Sequence, residues 1–286
     1  MPAYLKLCME TWTKYLTNYE IVVVSYANLD RYITPGTYNT DALKKLPLGV
    51  LKDAILAAVL CEHGGVFIDV DTIVTGDIAP IVARLKHAEI VLFNVHLGFV
   101  AARRGAPILR RWTRDAQQRL IRLGETDDFG GDFFYVGNSI LAEIMDDMAR
   151  SSTIGRVFES IRRRQESWPR LARAAWRGIV DPVWARRKGL FFRTIYRRHL
   201  TMLDRKKFGF MAELAYYNTN GVGHADDYRR FWFDEKIDIA RVFSPRQTVI
   251  GLHNSWTPDW YKALSEKEVL ENDCLLSKTL RHVLER

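Results

Sequence analysis

Along the chain, segments whose apolar residues recur at helical spacing alternate with short runs of β-branched residues. Tyr4-Leu5-Lys6-Leu7-Cys8-Met9-Glu10-Thr11-Trp12 predicts a helix, and Tyr19-Glu20-Ile21-Val22-Val23-Val24 a buried strand. A second helix is expected from Leu48 to Glu62. Pro47 precedes it and His63-Gly64-Gly65 closes it, because glycine accepts the left-handed backbone that ends a helix. Val66 to Val70 and Glu89 to Phe93 read as short strands. Pro107 to Leu123 carries a stripe of Ile108, Leu109, Trp112 and Leu120 and has Gly124 just beyond it, so it is expected to be helical. Gln247 to Leu252 reads as a further strand. This alternation predicts an α/β fold with a mostly parallel sheet flanked by helices, in which sites form at the carboxyl ends of strands.

Composition adds that the chain can bury a core: of 286 residues 48% are apolar and 27% charged. No run approaches the roughly 18 to 20 apolar residues that a spanning helix needs, and the start lacks a signal-peptide pattern, so a cytoplasmic location is expected. Cys8, Cys61 and Cys274 are too scattered for a zinc or dithiol motif.

Charge changes the picture further. Residues 150–207 hold 17 Lys and Arg against 4 Asp and Glu, while the other positions carry 25 basic and 30 acidic residues, so one segment supplies the whole net charge of +8. Its short helical pieces, broken at Pro169 and Pro182, interleave arginines with Trp168, Trp176 and Trp184. That pattern suits an anionic membrane surface on the cytoplasmic face better than nucleic acid, which is not expected as a partner. The expected organisation is a core over 1–149, a basic helical insertion over 150–207, the rest of the core over 208–262, and a terminal helix over 263–286.

The strongest candidate chemistry is Asp69-Val70-Asp71. Two carboxylates one residue apart at a strand end can share one hard cation, Mn2+ or Mg2+, which usually completes its coordination with substrate phosphates. A helix rises about 1.5 Å per residue and a strand returns about 3.3 Å per residue, so Asp53 is expected near the level of Asp69. His253 is a candidate third ligand. The indole N–H of Trp256 is a candidate for stabilising charge on a phosphate oxygen. Asp132 and Asn138, in Gly-rich turns, are candidates for acceptor-side sugar contacts.

Lys52-Asp53-Ala54-Ile55-Leu56, running on through Cys61-Glu62-His63-Gly64-Gly65-Val66-Phe67-Ile68 to Asp69-Val70-Asp71, resembles the signature of glycosyltransferases with a DXD sugar-binding region. That group includes capsular-polysaccharide sugar transferases, initiating mannosyltransferases and the glucosyltransferase domains of clostridial toxins. Cys8-Met9-Glu10-Thr11-Trp12 and Gly251-Leu252-His253-Asn254-Ser255-Trp256 are similar to other parts of the same family. The resemblance implies a GT-A fold and metal-dependent transfer, with retention, from a UDP- or GDP-sugar to a glycan or lipid-linked acceptor, as in polysaccharide synthesis.

By that resemblance, Asp53, Gly64, Gly65, Asp69, Asn254, Ser255 and Trp256 face the donor, and Asp69, Asp71 and His253 face the metal. Asp69, Asp71 and Trp256 carry the catalysis. The chain departs from the family at Leu56, where an arginine is usual. The opening strand and apolar-Trp segment that recognise the base have no counterpart after Met1-Pro2-Ala3, so either the start is truncated or base recognition is lost or rebuilt. Two other readings stand beside this one. Val66 to Thr72 also fits a haloacid-dehalogenase-like phosphatase with Asp69 as nucleophile, although Asp127-Asp128, Asp146-Asp147 and Asp226-Asp227 do not follow buried strands. The basic segment alternatively suits a catalytically silent membrane adaptor.

Overall fold

The structure, a computed structural model, describes residues 1–94, 96–126, 134–151, 199–219 and 223–286. Helices α1 (Ala3–Tyr15), α2 (Thr40–Lys44) and α3 (Leu48–His63) are followed by strands β1 (Gly65–Ile68) and β2 (Thr72–Val74) and the short helix α4 (Ala79–Val82). The hairpin of β3 (Ile90–Phe93) and β4 (His96–Ala102) leads into α5 (Pro107–Thr126) and α6 (Asn138–Ser151). Then come β5 (Leu200–Leu203), α7 (Ala212–Tyr216), α8 (Ala225–Arg229), β6 (Val249–Gly251), α9 (Asp259–Lys262), α10 (Glu266–Glu271) and α11 (Leu275–Glu285).

The expectation of a mostly parallel sheet is corrected. The main sheet has the order β1-β4-β3-β5; β4 runs antiparallel to both β1 and β3, and only β5 lies parallel to β3. The difference comes from β4, which periodicity does not reveal. It returns from β3 through a tight turn in which Asn94 takes a left-handed conformation (φ 57°), and a connection that short can only pair strands antiparallel. A second, two-stranded sheet pairs β2 with β6, antiparallel. The architecture is mixed α/β.

The strand expected at Tyr19 to Val24 does not form. Among the described residues no strand lies beside it, and Ile21, Val22 and Val23 are exposed rather than buried. Leu200–Leu203, which fall within the basic segment, pair with β3 as part of the sheet. Most of that segment, 152–198, lies outside the described residues, as does Asp132. Among the described residues no helix is long and apolar enough to cross a membrane.

Three apolar clusters hold the elements together. On α3, Val50, Leu51, Ala54, Ala57 and Ala58 are buried, and small residues at this spacing let α5 approach closely. The helix stops at Gly64 (φ 70°), where a Cβ would lie 2.6 Å from the Arg104 backbone nitrogen, so glycine is needed for both conformation and space. From α5, Trp112 donates its indole N–H to the Val136 carbonyl (2.7 Å) and fastens the turn that opens α6.

Helix α1 braces the opposite side. Trp12 donates to the Thr72 carbonyl (2.7 Å), Thr11 Oγ1 accepts the Val74 N–H (2.9 Å), and the Tyr4 hydroxyl donates to Asn254 Oδ1 (2.6 Å). One helix thus sets the position of both β2 and the segment after β6.

Candidate active site

The ladder between β1 and β4 continues one residue past β1, because the Asp69 N–H donates to the Gly98 carbonyl (2.8 Å). The Thr72 N–H donates to the Asp69 carbonyl (3.0 Å) and turns the chain into β2. Two bonds from the far end of the sequence hold Asp71: the Leu252 N–H donates to its carbonyl (3.0 Å) and the Asn254 N–H to its Oδ2 (2.8 Å). The turn bearing both aspartates is therefore clamped between β4 and the end of β6.

Asp53 approaches from α3 and is 5% exposed. Its Oδ1 makes no hydrogen bond, and the Lys52 ammonium, 4.0 Å from that oxygen, hydrogen-bonds Asp69 Oδ2. On its far side Asp53 meets backbone: a Cβ on Gly137 would fall 2.0 Å from Asp53 Oδ2. Gly98 borders the pocket similarly, since a Cβ there would lie 3.1 Å from Asp69 Oδ2.

Electrostatics follow from three carboxylates in little water. Burial, which overcomes the opposing pull of the Lys52 ammonium and is helped by a smaller contribution from the Asp69 charge, pushes the Asp53 carboxyl up to about 7. Asp71 is raised by burial and by the charge of Asp69, against the Asn254 N–H and Lys52. Burial presses the Lys52 ammonium down, but the charges of Asp69, Asp53 and Asp71 together outweigh it and leave it raised.

Two histidines form the pocket's other wall. The His253 ring packs on the Trp256 indole (centroids 3.9 Å apart) and lies 5.5 Å from His96 and 5.6 Å from Tyr228. Burial, then the charges of Arg205 and Lys52, lower His253 to about 4, and burial with His253 beside it lowers His96 as well. Both rings are neutral at pH 7. His96 Nδ1 accepts the Gly98 N–H (3.0 Å), whereas His253 Nε2 is buried with no hydrogen-bond partner.

The sequence-predicted residues sort as follows. Asp53, Asp69, Asp71 and Asn254 meet in one pocket, with His253 and Trp256 on its wall and Ser255 exposed beside them. Gly64 and Gly65 (φ 98°) form the turn into β1 and supply conformation rather than side-chain contacts. Asn138 opens α6 next to Gly137, and its Oδ1 is buried without a partner. Leu56 is fully buried in the α3 core. The phosphatase reading loses support, since Asp69 follows an edge strand antiparallel to its neighbour.

Periodicity and motif spacing did not single out Lys52, His96, Gly98, Gly137 or Arg205. Lys52 stood beside Asp53 in the motif, and the adjacency of a cation to buried acids was the available signal. The others join the site only through pairings distant in sequence.

The donor set fits a hard divalent cation. Two carboxylates press on each other, and a neutral imidazole nitrogen nearby lacks a partner. Among the described residues no three His, Cys, Asp or Glu side chains are gathered closely enough to hold a metal ion, so Asp69, Asp71 and His253 do not form a ready three-ligand set.

Residues 2–87 match the family model described as the glycosyltransferase sugar-binding region containing a DXD motif, a stretch that includes Asp53, Asp69 and Asp71. No curated protein and no solved structure matches the chain significantly.

Proposed function

We propose, from the match of residues 2–87 to the DXD-containing glycosyltransferase sugar-binding region, that the chain moves a hexose from a nucleoside-diphosphate sugar to a saccharide or lipid-linked acceptor with the help of Mn2+ or Mg2+. The observation that carries this reading is the clamped pair Asp69 and Asp71 at the end of β1, with the Asp53 carboxyl and the Lys52 ammonium beside it. An arrangement with three acids and one amine in a half-dry pocket suits a ligand that presents sugar hydroxyls on one side and phosphate on the other.

Asp69 and Asp71 would hold the cation, with His253 as the candidate third ligand, and so supply positive charge against the negative charge that grows on the departing nucleoside diphosphate. Asp53, near half-protonation at neutral pH, can both donate to and accept from a sugar hydroxyl. In this reading Asn254 and Ser255 serve the diphosphate, and the Trp256 indole N–H would donate to a phosphate oxygen that gains charge in the transition state. Asn138 serves the acceptor side. Retention of anomeric configuration and a role in capsule or other glycan synthesis follow the family resemblance.

The test is a panel of UDP- and GDP-sugars with and without Mn2+, scored by donor turnover and by ligand-induced rise in melting temperature for wild type and Asp69→Ala. The expected outcome is one donor whose turnover needs both metal and Asp69. Turnover that survives in Asp69→Ala, or a panel with neither turnover nor stabilisation, refutes it.

A further inference from the structure

Lys52 is anchored by its backbone and free only in its side chain. Val50, Leu51 and Ala54 around it are buried in the α3 core, so the helix cannot shift, while 28% of the Lys52 side chain remains exposed. Its ammonium hydrogen-bonds Asp69 Oδ2, and this same oxygen faces Gly98, where the absence of a side chain keeps the pocket open. Asp69 in turn is held through its backbone to Gly98 and Thr72 and cannot turn away as a unit.

A carboxylate oxygen cannot serve a lysine ammonium and a divalent cation at one time at full strength, because the two positive charges repel across a few ångströms of partly dry pocket. We propose, on the foundation of the transferase reading, that Lys52 is a tethered competitor for the metal: it occupies Asp69 in the donor-free protein and withdraws when metal and diphosphate arrive together. The diphosphate then gives the ammonium a new anionic partner within reach of its four-carbon stem. Metal and donor binding are thereby coupled, each making the other's site available.

The experiment is a calorimetric titration of the full chain with Mn2+, without nucleotide and with UDP present, for wild type, Lys52→Met, Lys52→Gln and Asp71→Asn. The two lysine variants are read together so that a folding defect in either does not decide the outcome. The inference expects both to bind Mn2+ at least about tenfold more tightly than wild type without UDP, the gain from releasing one charge-assisted hydrogen bond. It also expects the enhancement that UDP gives wild type to shrink in both. Unchanged or weaker Mn2+ binding by the lysine variants, with wild type binding and Asp71→Asn not, overturns the competitor role and leaves the transferase reading standing. No Mn2+ binding by wild type or lysine variants, with or without UDP, overturns both.

Discussion

Gly137→Ala tests whether Asp53 is positioned by the turn that opens α6. The added Cβ would sit 2.0 Å from Asp53 Oδ2, 2.8 Å from its Cγ and 3.1 Å from its Cβ. Ordinary contact begins at about 3.4 Å, so the carboxylate must retreat by roughly 1.4 Å, and the buried surroundings of Asp53 give it little room. No backbone strain is involved, since Gly137 does not have a positive φ. A displacement of about 1 Å in a positioning group costs on the order of a hundredfold in turnover, and overpacking of this size costs about 1–3 kcal/mol of stability. The expected result is a kcat/KM for the preferred donor lowered about ten- to a hundredfold, with a melting temperature lower by several degrees. Gly76→Ala is the matched control, because a Cβ there meets nothing within 4 Å. A Gly137→Ala protein with unchanged kcat/KM refutes the placement of Asp53 at the donor. A loss equal to that of Gly76→Ala refutes the steric argument.

Glu213, fully buried on α7, is raised to about 7 chiefly by burial, with Asp227 adding to it against the Trp232 indole and Arg205. Its folded state therefore holds a proton that the unfolded chain releases near its ordinary value of 4.5, and stability falls as pH rises from about 4.5 to about 7. At about 1.4 kcal/mol per unit this amounts to about 3 kcal/mol, so the urea-unfolding curve of Glu213→Gln is expected to lose that part of the decline; parallel curves for the two proteins refute it. Trp112→Phe leaves the buried Val136 carbonyl without its donor and is expected to cost about 2 kcal/mol and to weaken donor binding through the Gly137 turn, read by denaturation and by donor KM; an unchanged KM would show that the turn does not transmit to the site.

Much of this was legible in the chain itself. Apolar spacing locates α1 and α5 because a helix buries one face at a period that the sequence must repeat. His63-Gly64-Gly65 marks the end of α3, since the left-handed conformation admits few residues besides glycine. Asp69-Val70-Asp71 after an apolar strand announces a cation and phosphate site from local chemistry alone. Strand β4 was hidden, because His96-Leu97-Gly98-Phe99-Val100-Ala101-Ala102 neither alternates nor has a strong turn signal before it.

Strand direction and pairing were set by contacts between distant segments. The short β3–β4 turn makes the sheet mostly antiparallel, and Tyr19 to Val24 stays unpaired although its β-branched run favours a strand, because a strand needs a partner that its own residues cannot supply. The same holds for the pocket. Asp71 meets the Asn254 N–H across 183 positions, and Asp53 owes its place to the backbone of Gly137. Local sequence sets backbone preference and side-chain chemistry; which carboxylate faces which amine depends on contacts between segments that come together only when the whole core closes.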